Sequence, residues 1–224
     1  MSVLAGAGLT RGARDPRVEQ LTATLDRGAA RGQNGRTVSR VEIRTPTLVL
    51  RRPDRKDLDA ILTIHSDPRA CEHNPSDALA THDEAAGLLE RWRDQWERHG
   101  AGYWTVRRPD NTEALGFCGL KFVELHQRRV LNLFCRLAPQ SWGQGIGGEA
   151  ATAAVGWGRE TWPEVPIIAR IRPRNIASQR MAVGCGLARA QQLDFTGEDG
   201  LEWLYVDRSC RMTRPVRAAA GGPA

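Results

Sequence analysis

The chain has 224 residues, a formal net charge of +6 and five cysteines. That length suits one domain with an appendage, long enough to bury a real core. No apolar run approaches the roughly 20 residues that a membrane-spanning helix needs. The cysteines (Cys71, Cys118, Cys135, Cys185 and Cys210) are scattered and form no CxxC pair, which argues against a zinc site or a disulfide framework and for a reduced, cytoplasmic protein.

Much of the charge sits at one end. Residues 1–40 carry seven arginines against Asp15, Glu19 and Asp26, and they hold few large apolar groups. Residues 1–42 therefore read as a basic, flexible extension with a short helix from Pro16 to Asp26. The segment has no apolar stretch of the kind a secretory signal requires. A basic tail of this sort attracts acidic partners, but the rest of the chain is close to balanced, which argues against nucleic acid as the main ligand. Residues 43–210 read as the folded domain and 211–224 as a second flexible tail.

The domain opens with a strand at Thr47–Arg51. Asp54 caps a helix running to Ser66, with Leu58, Ile61, Leu62 and His65 at helical spacing. Thr81 and Glu84 form a capping box for a second helix to His99, whose buried side is marked by Leu88, Leu89, Trp92 and Trp96. Three strands follow, Tyr103–Arg107, Leu115–Phe122 and Val130–Leu137. They are joined by turns at Arg108-Pro109-Asp110-Asn111 and His126-Gln127-Arg128, as in an antiparallel meander. An alanine-rich helix ends near Thr161. Ile167–Ile171 is a short apolar strand, and a helix from Ile176 to Cys185 stops at Gly186. Two last strands, Ala188–Phe195 and Leu201–Val206, flank a turn at Gly197–Gly200. This order predicts an α/β (α+β) layer fold on a mixed sheet.

The segment Trp142-Gly-Gln-Gly-Ile-Gly-Gly-Glu-Ala150 carries the functional signal. A glycine cluster between strand and helix leaves backbone N–H groups bare at the positive end of a helix, and both features favour phosphate. Gly143, Gly145 and Gly148 formally satisfy G-x-G-x-x-G. However, Ala138–Trp142 intervene after the strand, no acid follows about 20 residues on, and the preceding strands form a meander, so a dinucleotide fold is not predicted. No Gly-Lys dipeptide occurs, which excludes a P-loop.

The arrangement resembles the GNAT superfamily of acyl-CoA-dependent N-acetyltransferases. Gly145-Ile146-Gly147 match the glycines of the family signature [RQ]-x-x-G-x-[GA], with Trp142 at the Arg/Gln position. Trp-Gly-x-Gly followed by Glu149-Ala150 is similar to the ribosomal-protein N-terminal acetyltransferase branch. Asn175-Ile176-Ala177-Ser178-Gln179-Arg180, closing with Gly186-Leu187, matches a second element of that branch. So does Leu48-Val49-Leu50-Arg51-Arg52 with Asp57. The resemblance spans about residues 45–208 and implies a mixed, mostly antiparallel central sheet flanked by helices.

The resemblance also implies acetyl-CoA as co-substrate, no metal, and an amine acceptor that is a small molecule or a peptide N-terminus. A homodimer stays open. It implies a diphosphate held by Gly143, Gln144, Gly145, Ile146, Gly147 and Gly148, pantetheine along Cys135, Arg136 and Leu137, and Asn175 and Ser178 beside the CoA chain. Ser178 is the expected proton donor, since Ala182 stands where many relatives have a Tyr. Asn132 stands where the branch often has a basic Glu, which leaves base catalysis to a water relay, to an acid such as Glu124, or to no group at all. Glu72, His73 and Asn74 fall in the loop that faces the acceptor. Glu149 reads first as an acid favoured by the helix dipole. The five histidines show no ligand or triad spacing, and the tryptophans read as core. The departures at Asn132, Ala182 and Trp142 motivate the alternative of a catalytically weak or inactive CoA-binding regulatory module.

Overall fold

The computed structural model describes residues 42–125 and 128–207. Apart from Glu42, which the structure places in a strand, the expected N- and C-terminal extensions lie outside these residues, as do the Pro16–Asp26 helix, the centre of the turn at His126-Gln127 and Cys210.

Among the described residues nine strands form one sheet: β1 (Glu42–Arg44), β2 (Val49–Arg51), β3 (Tyr103–Arg107), β4 (Gly116–Leu125), β5 (Arg128–Leu137), β6 (Ile167–Ile171), β7 (Leu187–Arg189), β8 (Phe195–Gly197) and β9 (Gly200–Asp207). The order is β1-β2-β3-β4-β5-β6-β9-β7, with β8 added to β9. Only β5 and β6 run parallel; every other pair is antiparallel. The helices are α1 (Leu58–Ser66), a single turn α2 (Pro68–Cys71), α3 (His82–His99), α4 (Ile146–Thr161) and α5 (Ile176–Gly184). No helix among the described residues is long and apolar enough to cross a membrane.

Side chains alternate between the two sheet faces, as the pleat requires. Trp104, Leu120, Leu131, Leu133, Ile167 and Ile171 join Ile146, Ala150, Ala154 and Trp157 of α4 and Ala182 of α5 in one core. Tyr103 and Phe117 turn the other way, onto Ile61 and Ile64 of α1 and Ala85, Leu89 and Trp92 of α3. Trp96 bridges the layers: its indole N–H donates to the Tyr103 carbonyl at 2.9 Å, and it packs on Trp104 and Trp157. Trp92, Trp96, Trp104 and Trp157 are thus all core residues, as expected.

Local signals explain most boundaries. The Thr81–Glu84 capping box is formed in both directions, and α3 ends on Gly100 at φ 65°. Asp54 caps a 3-10 turn, Arg55–Asp57, that leads into α1. Asp57 is buried and accepts from Arg51 at 2.7 and 2.9 Å and from Thr105 at 2.9 Å. It ties β2 to α1 and β3, a structural role. The expected strand Ala188–Phe195 is instead two three-residue strands separated by a 3-10 turn, Gln191–Leu193. Asp194 breaks the run: its carboxylate pairs with Arg189 and takes the Leu204 N–H at 3.0 Å. Strand β1 and the turn α2 carry no clear periodicity and were not expected.

Candidate active site

The parallel pair β5–β6 is short. Register runs only from Leu131 opposite Ile167 to Asn132 opposite Ile168, after which β5 continues along β4 while β6 continues along β9. The strands therefore diverge and leave a cleft. Leu131 donates toward β6, to Pro166, and Ala138 donates toward the β4 side, to Leu115, both at 2.9 Å. With unbroken alternation between these residues, Cys135 and Leu137 aim their backbone N–H groups into the cleft, while Phe134 and Arg136 aim theirs at β4. The Trp142 indole N–H donates to the Leu137 carbonyl at 3.1 Å and so fixes the start of the next loop against the strand end.

That loop brings its amides to the mouth of the same cleft. Gly143 (φ 74°) and Gly145 (φ 79°) take left-handed backbone that glycine adopts at no steric cost. Gly145 is the N-cap of α4. Among the described residues, no N–H from Gly143 through Gly148 donates to a protein acceptor; the first that does is Glu149, to the Gly145 carbonyl at 3.1 Å. A Cβ built on Gly148 would meet nothing within 4 Å. Packing within the chain does not require glycine there, and the missing side chain leaves room for an outside group to approach the backbone. Bare amides, a 16-residue helix pointing its positive end at them, and space in front form an anion cradle.

One cavity of about 760 Å3 joins cradle, cleft and the far side of the sheet. Cys135, Arg136, Leu137, Gly143, Gly145, Ile146, Gly147, Gly148, Asn175 and Ser178 all line it. Gln144 does not: its side chain donates to the Gln140 carbonyl at 2.9 Å and accepts from Arg108, which holds it away from the lining. Arg136 enters by its side chain, on the opposite sheet face, where it donates to Asp77 at 2.9 Å. Asn175 caps α5 by accepting the Ser178 N–H at 3.0 Å. The Ser178 hydroxyl is committed to no partner among the described residues. The acceptor-facing candidates Glu72, His73 and Asn74 also line the cavity, at its other end.

Two candidate acids sit elsewhere. Glu124 is exposed and does not reach the cavity, so it is no base for this site. Glu149 accepts from the Thr45 hydroxyl at 2.5 Å and from the Thr47 N–H and hydroxyl at 3.0 and 2.7 Å. Desolvation raises its pKa, but these bonds and nearby Arg108 outweigh it and hold the carboxylate below its ordinary value. It fastens α4 to the segment before β2, beyond any benefit from the dipole. His65 also borders the cavity but is a core residue: burial, then the charge of Arg136, push its pKa down to about 4, and its Nδ1 pairs with the Ile61 carbonyl at 2.9 Å.

Trp142 and Ala177, which the two motifs contain, line the cavity as well, and so does Met181, which neither motif contains. Met181 lies one turn after Ser178 on α5, so helical spacing could have identified it. No group of three or more potential metal ligands occurs among the described residues.

Residues 47–188 match the family model described as an acetyltransferase (GNAT) domain. The chain belongs to the GNAT acetyltransferase family. It is an acyltransferase, built for acetyl-CoA-dependent acetylation. Similar solved structures share its fold. An acetyltransferase from Agrobacterium tumefaciens is 21% identical, with a TM-score of 0.64 over 78% of this chain and 98% of that one. A ribosomal L7/L12 alpha-N-protein acetyltransferase in complex with coenzyme A is 16% identical, at 0.60 over 74% and 96%. A spermidine N-acetyltransferase from Vibrio cholerae, in complex with CoA and spermine, is 15% identical, at 0.56 over 71% and 94%.

Proposed function

We propose that this GNAT protein transfers the acetyl group of acetyl-CoA to a primary amine, of a small molecule or of a protein N-terminus, by direct attack on the thioester. The observation that carries the reading is the bare edge of β5 running into the bare amides of Gly143–Gly148 within one cavity. The spacing of these groups along one groove suits a co-substrate with a diphosphate at one end and an amide-bearing chain at the other. The structural relatives that act on a protein α-amine and on spermidine support an amine as acceptor.

In this reading the loop amides hold the diphosphate, and the Cys135 and Leu137 N–H groups orient the chain as a strand partner would. An N–H on this edge polarises the thioester carbonyl. Ser178, whose hydroxyl is otherwise uncommitted, supplies a proton to the departing thiolate. Asn132 lines the cavity without being a base, so the amine loses its proton to water. Catalysis then rests mainly on positioning, which can supply roughly 7–11 kcal/mol.

Release of free thiol from acetyl-CoA over a library of amines and peptides tests the proposal. Turnover of at least one amine is the expected result. Tight CoA binding with no turnover on any of them would favour a CoA-binding regulatory module instead.

A further inference from the structure

The end of the cavity away from the glycine loop concentrates positive charge at one place. Lys121 stands on β4 opposite Asn132 and lines the cavity. Its Nζ lies 5.9 Å from the centroid of the Tyr103 ring, at the outer limit of a cation–π contact. No carboxylate lies within ion-pair distance of it among the described residues.

The neighbouring acids are already committed. Asp77 accepts from Arg136 at 2.9 Å. Glu202 accepts from Arg170 at 2.5 and 3.1 Å. Asp199 accepts from the Ser76 hydroxyl at 2.7 Å and faces Arg172 at 3.4 Å. The other acids on the lining, Glu72 and Glu198, are exposed. Arg91, also on the lining, has no ion-pair partner among the described residues. Burial lowers the Lys121 pKa, the guanidinium groups of Arg170 and then Arg91 lower it further, and Asp77 opposes them. Beside it the Asn132 Oδ1 is buried with no hydrogen-bond donor.

A half-buried ammonium facing a cavity, with like charges around it and its potential counterions taken, is an anion site, because low-dielectric walls focus its field. We propose that the acceptor amine carries an anionic group, a carboxylate or a phosphate, bound by Lys121. The inference rests on the acetyl-transfer reading and narrows it. A polyamine would bring a further cation to Lys121 and find Asp77, Asp199 and Glu202 already paired, with only the exposed Glu72 and Glu198 of the lining acids left to it.

The test uses the full chain and matched acceptors in a thiol-release assay: L-amino acids against their amides for the carboxylate arm, O-phosphoethanolamine against ethanolamine for the phosphate arm, and spermidine as polycation. The wild type is expected to favour the anionic member of at least one pair by about tenfold or more in kcat/KM. Lys121→Gln is expected to bring that ratio near unity, mainly through KM, with CoA affinity unchanged, and Lys121→Arg is expected to restore it. Equal or better use of neutral amines or spermidine by the wild type, or an unchanged ratio in Lys121→Gln, would overturn this inference alone. No turnover in any of these arms would overturn this inference; the transfer reading falls with it only if the wider library of amines and peptides is not turned over either.

Discussion

Replacing Gly148 by Asp separates ligand binding from folding. Gly148 is the third residue of α4, and its Cβ direction is open space. The Cβ of an aspartate there meets no protein atom within 4 Å, and the residue occupies a first-turn position that the helix dipole favours by about 0.3–1 kcal/mol. Removing a helical glycine adds a few tenths of a kcal/mol. The variant should therefore melt no lower than the wild type. The same carboxylate projects in front of the bare amides and competes with a diphosphate for them. Losing two charge-assisted hydrogen bonds costs roughly 3–6 kcal/mol, or a CoA affinity weaker by about 10²–10⁴-fold. Calorimetry with CoA, run beside pantetheine, which lacks the diphosphate, reads the effect. CoA binding should fall toward the pantetheine level while pantetheine binding stays unchanged. Wild-type CoA affinity in Gly148→Asp, at an unchanged melting temperature, would refute the reasoning.

Three further expectations follow from particular residues. Ser178→Ala should lower kcat by about 10², at the low end of what a general acid contributes, with CoA affinity barely altered; an unchanged kcat in the thiol-release assay would leave Ser178 a helix residue only. Glu149→Ala removes the bonds to Thr45 and Thr47 and should destabilise by roughly 1–2 kcal/mol, a fall in melting temperature of about 2–8 °C; a melting curve superimposable on the wild type would contradict the tie. His65, held neutral with a pKa of about 4, binds its proton more readily when unfolded. Its contribution is fully present above the unfolded value near 6.5 and is lost as pH falls toward 4, on the order of 3 kcal/mol in all. Urea midpoints at pH 7 and pH 4.5 should differ less in His65→Phe than in the wild type; an equal difference would show that His65 is not the group responsible.

The elements that carry their own boundary chemistry were legible in the chain. Thr81 with Glu84, Asp54, and Gly186 at φ 86° mark helix ends by local hydrogen bonding or backbone conformation. The glycine loop was legible for the same reason, since N–H groups at a helix start need no distant residue to be bare. The cleft was not, because it depends on where β6 leaves β5 for β9, a choice made by pairing between strands far apart in sequence. Arg136 illustrates the difference: alternation along β5 sends its N–H to β4 and its side chain to Asp77, although it lies between two cleft-facing residues. Glu124 failed as a base because its register position, opposite Arg129, faces away from the cavity. The charge balance around Lys121 was likewise hidden, for Arg170–Glu202 and Arg172–Asp199 meet only once β6 and the β8–β9 turn are assembled.

The central claim is that the cleft edge of β5 and the loop amides together receive coenzyme A. Amide 1H–15N spectra of the labelled protein, recorded with and without millimolar CoA, address it residue by residue. The claim requires that the amides of Gly143–Gly148, Cys135 and Leu137 shift strongly and become protected from exchange, while those of Phe134 and Arg136, already paired to β4, change little. Unperturbed loop and Cys135 amides at saturating CoA would contradict it.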